Sequence, residues 1–355
     1  MAQEEISPRA SMVATGWRFQ QMGIWSVVEG SVHIKQKVLR HTPLDKLKDC
    51  LINILAGGTG LVETNLRVRP DRAVQMAFGR QSCAEQSTIS DTLNACTAEN
   101  VNQMRTAINL ILRQHGGCYQ HNYEKQWQLL DADMTGMPAG RLGEGVTKGY
   151  FAGEKNRRGR QLGRVLASWY DEIVVDKLYT GKRQLDANLG ELVLAAETAL
   201  DLTLTDPMLF ELLGQANSPR PTTEQVLSAA MHFYDLRSGG LETQNKSEKQ
   251  GLGLSRRNKH RFAAQEMLVL LAQLAHNLVI WTRNELAYHQ PRFSKYGIQR
   301  TVRDIFHIPG SVQLTTAGTI RQITLNARHP LAAAFQQAFA SHLARDDLSL
   351  ILGKN

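Results

Sequence analysis

The chain has 355 residues, 42% of them hydrophobic and 21% charged, which is enough to bury a core and make two or three domains. That composition excludes a disordered or fibrous protein, and no run approaches the roughly 18 uninterrupted apolar residues of a membrane span. The formal charge is +8 and the opening MAQEEISPRAS lacks a signal peptide's basic start and apolar stretch. A cytoplasmic protein with an affinity for polyanions is expected.

Residues 1–40 read as an arm carrying Trp17, Ile24 and Trp25 without a clear period. Beyond Pro43, the spacing Leu44, Leu47, Leu51, Leu55 predicts a helix stopped by Gly57 and Gly58. A second helical stretch passes through Ala73, Val74 and Ala77, and a polar-headed one begins at residues 86–93. Residues 41–120 therefore read as a helical domain. It is either a plain bundle or a helix-turn-helix whose second helix enters a major groove. Cys50, Cys83, Cys96 and Cys118 form no CxxC pair, and His115, Cys118 and His121 lack a fourth ligand, so a structural reading of them is preferred to a metal site.

The composition changes near residue 125. Residues 127–136 predict a strand closed by Gly136 and Pro138, and period two puts Leu129, Asp131 and Asp133 on one of its faces. Two carboxylates projecting together suit a divalent cation with oxygen ligands, although a solvated strand end carries the same letters. Residues 161–170 and 172–179 predict a hairpin, and 189–202 a helix. Three strands and then a helix place residues 121–205 in an α/β core. Residues 206–222, with Pro207, Pro219 and Pro221, form a connector. Helices follow within 223–290, the longer over 262–287 with Met267, Leu270, Leu271, Leu274, Leu278 and Trp281 as a core stripe. Residues 291–355 hold a hairpin of 312–314 and 320–325 and the tail.

Basic residues cluster at Arg157, Arg158, Arg160 and Arg164, and again at Arg256, Arg257, Lys259, His260 and Arg261. Such clusters favour nucleic-acid phosphates. Between them stand Tyr234, Arg237, Glu242, Lys246 and Lys249. Glu242 suits a metal ligand, Arg237 a bidentate phosphate clamp and Lys249 a point charge. A helix over 242–249 would also make Glu242 and Lys246 an ordinary i,i+4 pair.

Residues 130–136, Leu-Asp-Ala-Asp-Met-Thr-Gly, resemble the first-aspartate strand of the DDE transposases of bacterial insertion sequences. Tyr234, Arg237, Glu242 and Lys249 resemble that family's Tyr-Arg-Glu-Lys signature, with four residues instead of three between Arg237 and Glu242. Residues 148–153, 157–164 and 249–259 also look familial, so the resemblance spans about residues 40–330. It implies an RNase H-like α/β core with a mixed sheet, a helical N-terminal DNA-binding domain and a helical C-terminal region. It further implies cleavage and strand transfer at transposon terminal repeats by two Mg²⁺ ions roughly 3.5–4 Å apart, with Mn²⁺ as a substitute. Asp133 would be the first carboxylate, with Asp131 as alternate, and Glu242 the last. Tyr234, Arg237 and Lys249 would hold phosphates of double-stranded DNA. The family assembles as dimers on DNA, so a homodimer associated with the bacterial nucleoid is expected. The chain departs from the pattern where the second aspartate belongs. The helix at 189–202 runs straight into the proline-rich connector, and neither Asp201 nor Asp206 follows an apolar strand. An internal deletion is therefore read there, leaving an incomplete core and an uncovered sheet edge. It leaves two alternatives to a working transposase: an inactive, end-binding or dimerising remnant, and a metal-dependent nuclease or resolvase of the same fold.

Overall fold

A computed structural model describes residues 3–202 and 251–353, apart from Glu124, Trp127, Ala152, Gly153, Gln184, Ser255, Thr316, Ala317, Asp346 and Asp347. The chain mixes α and β structure. Where a packed arm without a clear period was expected, strand β1 (Gln3–Ser7) leads into helices α1 (Ala10–Gln21) and α2 (Ile24–Ser31). Extended chain then reaches α3 (Pro43–Leu55), whose start is encoded locally. The Thr42 hydroxyl accepts from the Asp45 amide and the Asp45 carboxylate accepts from the Thr42 amide, each at 3.0 Å. Pro43 occupies the first turn, where its missing N–H costs nothing.

Helices α4 (Val62–Arg67), α5 (Arg72–Ala77), α6 (Gln86–Ala95) and α7 (Ala98–His115) follow. Helix α5 packs on α1 and β1, whereas α6 packs on α3 and α4. Residues 78–85 between them exceed the about 3–4-residue turn of a helix-turn-helix. The α5 and α6 helices thus lie where the sequence indicated, but they belong to a bundle and are not the two arms of that motif.

The central part of the chain forms an antiparallel sheet of β2 (Leu130–Pro138), β3 (Thr147–Phe151), β4 (Glu154–Ala167) and β5 (Glu172–Thr180). Strand β4 is its axis. One edge pairs with β2; on the other, β3 gives way to β5, since Gly159 faces Thr147 and Arg160 faces Thr180. Helix α8 (Leu185–Leu200) covers one face, burying Leu192, Ala196 and Ala199 against Val165, Val175 and Tyr179. Helix α9 (Phe262–His289) covers the other, where Val269 and Ala272 meet Leu162, Leu178 and Met137.

Helix α9 also runs through the main core, so it is buried nearly all round instead of along one stripe. By length and composition it could cross a membrane, but 89% of its most apolar window lies inside the protein. After it come β6 (Gly310–Leu314), β7 (Ile320–Leu325), α10 (Ala332–Ala344) and β8 (Ser349–Leu352). The second sheet has the order β1-β6-β7-β8, so the first strand of the chain pairs antiparallel with the C-terminal hairpin. Met12, Leu51, Ile89, Met104, Leu271, Ile323 and Phe339 all belong to one buried cluster. The segments 1–40, 41–120 and 291–355, read from sequence as separate units, therefore share a single core with α9 at its centre.

Candidate active site on the central sheet

The pleat of β2 aims Asp131, Asp133, Thr135 and Met137 at the α9 side, since Met137 packs with Leu162 and Leu178 beneath α9. Leu130, Ala132 and Met134 face α8 instead. Asp131 is 4% exposed and Asp133 is partly exposed. The two neighbouring carboxylates thus share a face, as period two required.

Register adds a partner that the sequence reading assigned elsewhere. Asp133 stands opposite Arg164, and Arg164 opposite Asp176 on β5. Arg164 donates Nε to Asp176 Oδ1 and Nη2 to Oδ2, both at 2.7 Å, and both side chains are fully buried. A bidentate guanidinium–carboxylate pair is the geometry that best offsets the desolvation of two charges. Arg164 is therefore a sheet-interior cation and not part of a DNA-facing patch. Arg164 shares the face of Leu162, but Val165 on the other face is apolar as well, so the sequence did not single out the inward direction.

Among the described residues β2 has β4 as its one strand neighbour, so its other edge is unpaired there. Asp201 does not approach Asp133. It follows α8, on the opposite face, with its side chain 68% exposed and Arg113 at 3.9 Å. Tyr234, Arg237, Glu242, Lys249 and Asp206 lie outside the described residues. The chain re-enters at residues 251–254, and Leu254 joins the buried cluster of Met137, Leu162 and Val269 on the carboxylate face of the sheet.

The basic clusters divide. Arg160 is 1% exposed and donates to the carbonyls of Glu144 (2.7 Å), Lys259 (3.0 Å) and His260 (2.8 Å), and burial lowers its pKa. Arg257 donates to the carbonyls of Leu252 and Gly58, and burial pulls its pKa down to about 10. Lys259 binds Ser90 Oγ at 2.5 Å on α6. These three tie the 251–261 segment to the helical body, so Arg160 and Arg257 present no free N–H fork to a phosphate. Arg157, paired with Glu154 at 2.8 Å, and Arg158 remain at the surface near the start of β4, and Arg256 is exposed.

His115 and His121 are both engaged by hydrogen bonds within the protein. His115 Nε2 meets the Met22 carbonyl at 3.1 Å, and His121 lies between the Tyr170 hydroxyl (2.9 Å) and the Gln126 carbonyl (3.0 Å). Burial, followed by the neighbouring Glu172, pushes the Cys118 thiol up. Glu172 is itself a buried hub missed in the sequence, accepting from the amides of Gly117 (2.9 Å) and Cys118 (2.8 Å) and from Trp281 Nε1 (2.7 Å).

For a divalent ion, the described residues supply Asp133 with Asp131 behind it, and no group of three His, Cys, Asp or Glu among them could hold a metal. The donor set is incomplete unless the 203–250 segment adds to it. No family model, curated protein or solved structure matches the chain.

Proposed function

We propose that the chain is a DDE-type transposase by descent, a double-stranded DNA-binding protein whose phosphodiester chemistry centres on Asp133 and Glu242. The observation that carries this reading is the packing of Leu254 on Met137 and Leu162. It returns the chain, twelve residues after Glu242, to the sheet face that bears Asp131 and Asp133. The antiparallel run β2, β4, β5 followed by a helix on the far face also supports it. A bound Mg²⁺ would supply Lewis-acid activation at phosphorus. The chain's own part is to hold Asp133 beside the neutralised Arg164–Asp176 pair and to bring phosphate-binding cations to the same face.

A second reading, an end-binding or dimerising remnant without strand transfer, is favoured by the position of Asp201 on the opposite face. Two carboxylates in place of three would weaken metal binding. Incubation with Mg²⁺ and DNA bearing the element's terminal repeats separates the two. Joined products, lost in both Asp133→Asn and Glu242→Gln, are expected of the transposase; cutting without joining would indicate a nuclease. Repeat-specific binding without cleavage selects the remnant. Activity indifferent to both substitutions rules out the site.

A further inference from the structure

A basic pocket lies in the helical body, between the extended chain after α2, the first turn of α3, the residue Arg69 and the start of α6. Lys37, Arg40, Lys46 and Arg69 line it around an empty space of about 690 Å³ open to solvent. Among the described residues, three of these cations hydrogen-bond, each to a neutral oxygen. Lys46 Nζ reaches Gln36 Oε1 at 3.3 Å, Arg40 Nη2 reaches Ser82 Oγ at 3.5 Å and Arg69 Nη1 reaches Asn65 Oδ1 at 3.4 Å. The nearby carboxylates are already engaged, because Arg80 takes Asp45 at 2.5 Å and Asp49 at 2.8 Å. One acidic side chain, Glu85, lines the pocket, and burial, followed by Arg80, lowers the pKa of His41.

Lys46 is the informative member. It is 8% exposed along its stem, it lines the pocket, and its hydrogen bond to Gln36 brings no countercharge. An anion entering the pocket provides that charge. Leu39, 84% exposed beside Lys37 and Arg40, argues for a large partner over a free ion, since an inorganic phosphate would leave it in water. We propose that this pocket receives the phosphate backbone of double-stranded DNA and is the principal DNA-docking surface of the helical body. The choice of DNA as the polyanion rests on the proposed function; the anion site rests on the pocket itself.

The test is the salt dependence of binding of the full chain to duplex DNA, followed by fluorescence anisotropy. The triple variant Lys37→Ala, Arg40→Ala, Arg69→Ala removes three exposed cations without touching the core. Its affinity should fall on the order of a hundredfold, and the slope of log K against log salt should drop by about 2.7 at about 0.9 per lost contact. Removing equal charge elsewhere, with Lys295→Ala, Arg321→Ala, Arg328→Ala, should leave both within about twofold of the parent. Parent-like binding by the pocket variant, or an equal loss in both, overturns the proposal while leaving the catalytic reading intact. Tighter binding to duplex RNA overturns the choice of DNA, and no binding to either by the parent chain overturns both proposals. Pocket-dependent binding without any cleavage sinks only the catalytic reading.

Discussion

Arg164 and Asp176 hold two opposite charges at 0% exposure in the middle of the central sheet, with Asp133 in the adjacent register position. Replacing one member of such a pair leaves an uncompensated buried charge, which costs about 3–5 kcal/mol. Arg164→Leu should therefore lower stability by about that much in urea unfolding. A loss under about 1 kcal/mol would show that the pair carries no net weight. Sequence alone made Asp131 and Asp133 legible as a same-face pair, because strand period fixes their direction whatever lies beyond. The fate of Arg164 was less legible: an arginine in a basic run reads as surface until the strand partner that supplies its anion is known. Arg160 and Arg257 show the same limit, since their acceptors are carbonyls brought near only by the fold.

At the scale of elements, residues 251–254 bring the chain onto the carboxylate face of the central sheet, and Gly253 sets their path. Its φ is +63°, and a Cβ there would stand 2.6 Å from Thr59 Cα. Gly253→Ala thus combines a left-handed backbone with overlap against main chain, and should cost about 2–4 kcal/mol. Thermal unfolding checks this; a change under about 0.5 kcal/mol would mean the segment is not anchored there. Elements with strong local signals, such as the leucine spacing of α3 or the apolar runs in β4 and β5, were readable from the sequence. The first strand β1 was not, because its pairing partner β6 lies about three hundred residues away. Of the two readings left open for residues 41–120, bundle or helix-turn-helix, the packing matches the bundle: α5 lies on α1 and β1, and α6 on α3 and α4.

Across the whole molecule, one core joins both ends of the chain, and the central sheet with α8 leans on it through α9. No stripe on α9 was sufficient to reveal this, since a helix packed between two layers is apolar on every side. The arrangement puts the Asp131–Asp133 face beneath the same helix that closes the main core. The catalytic account therefore requires Asp133 and Glu242, 109 positions apart in the chain, to act on one ion. Titration of Mn²⁺, followed by electron paramagnetic resonance, tests this without DNA or turnover. Bound Mn²⁺ in the parent chain, weakened at least about tenfold in both Asp133→Asn and Glu242→Gln, is the predicted result. No bound ion in the parent, or binding unchanged by either substitution, would contradict a shared metal site.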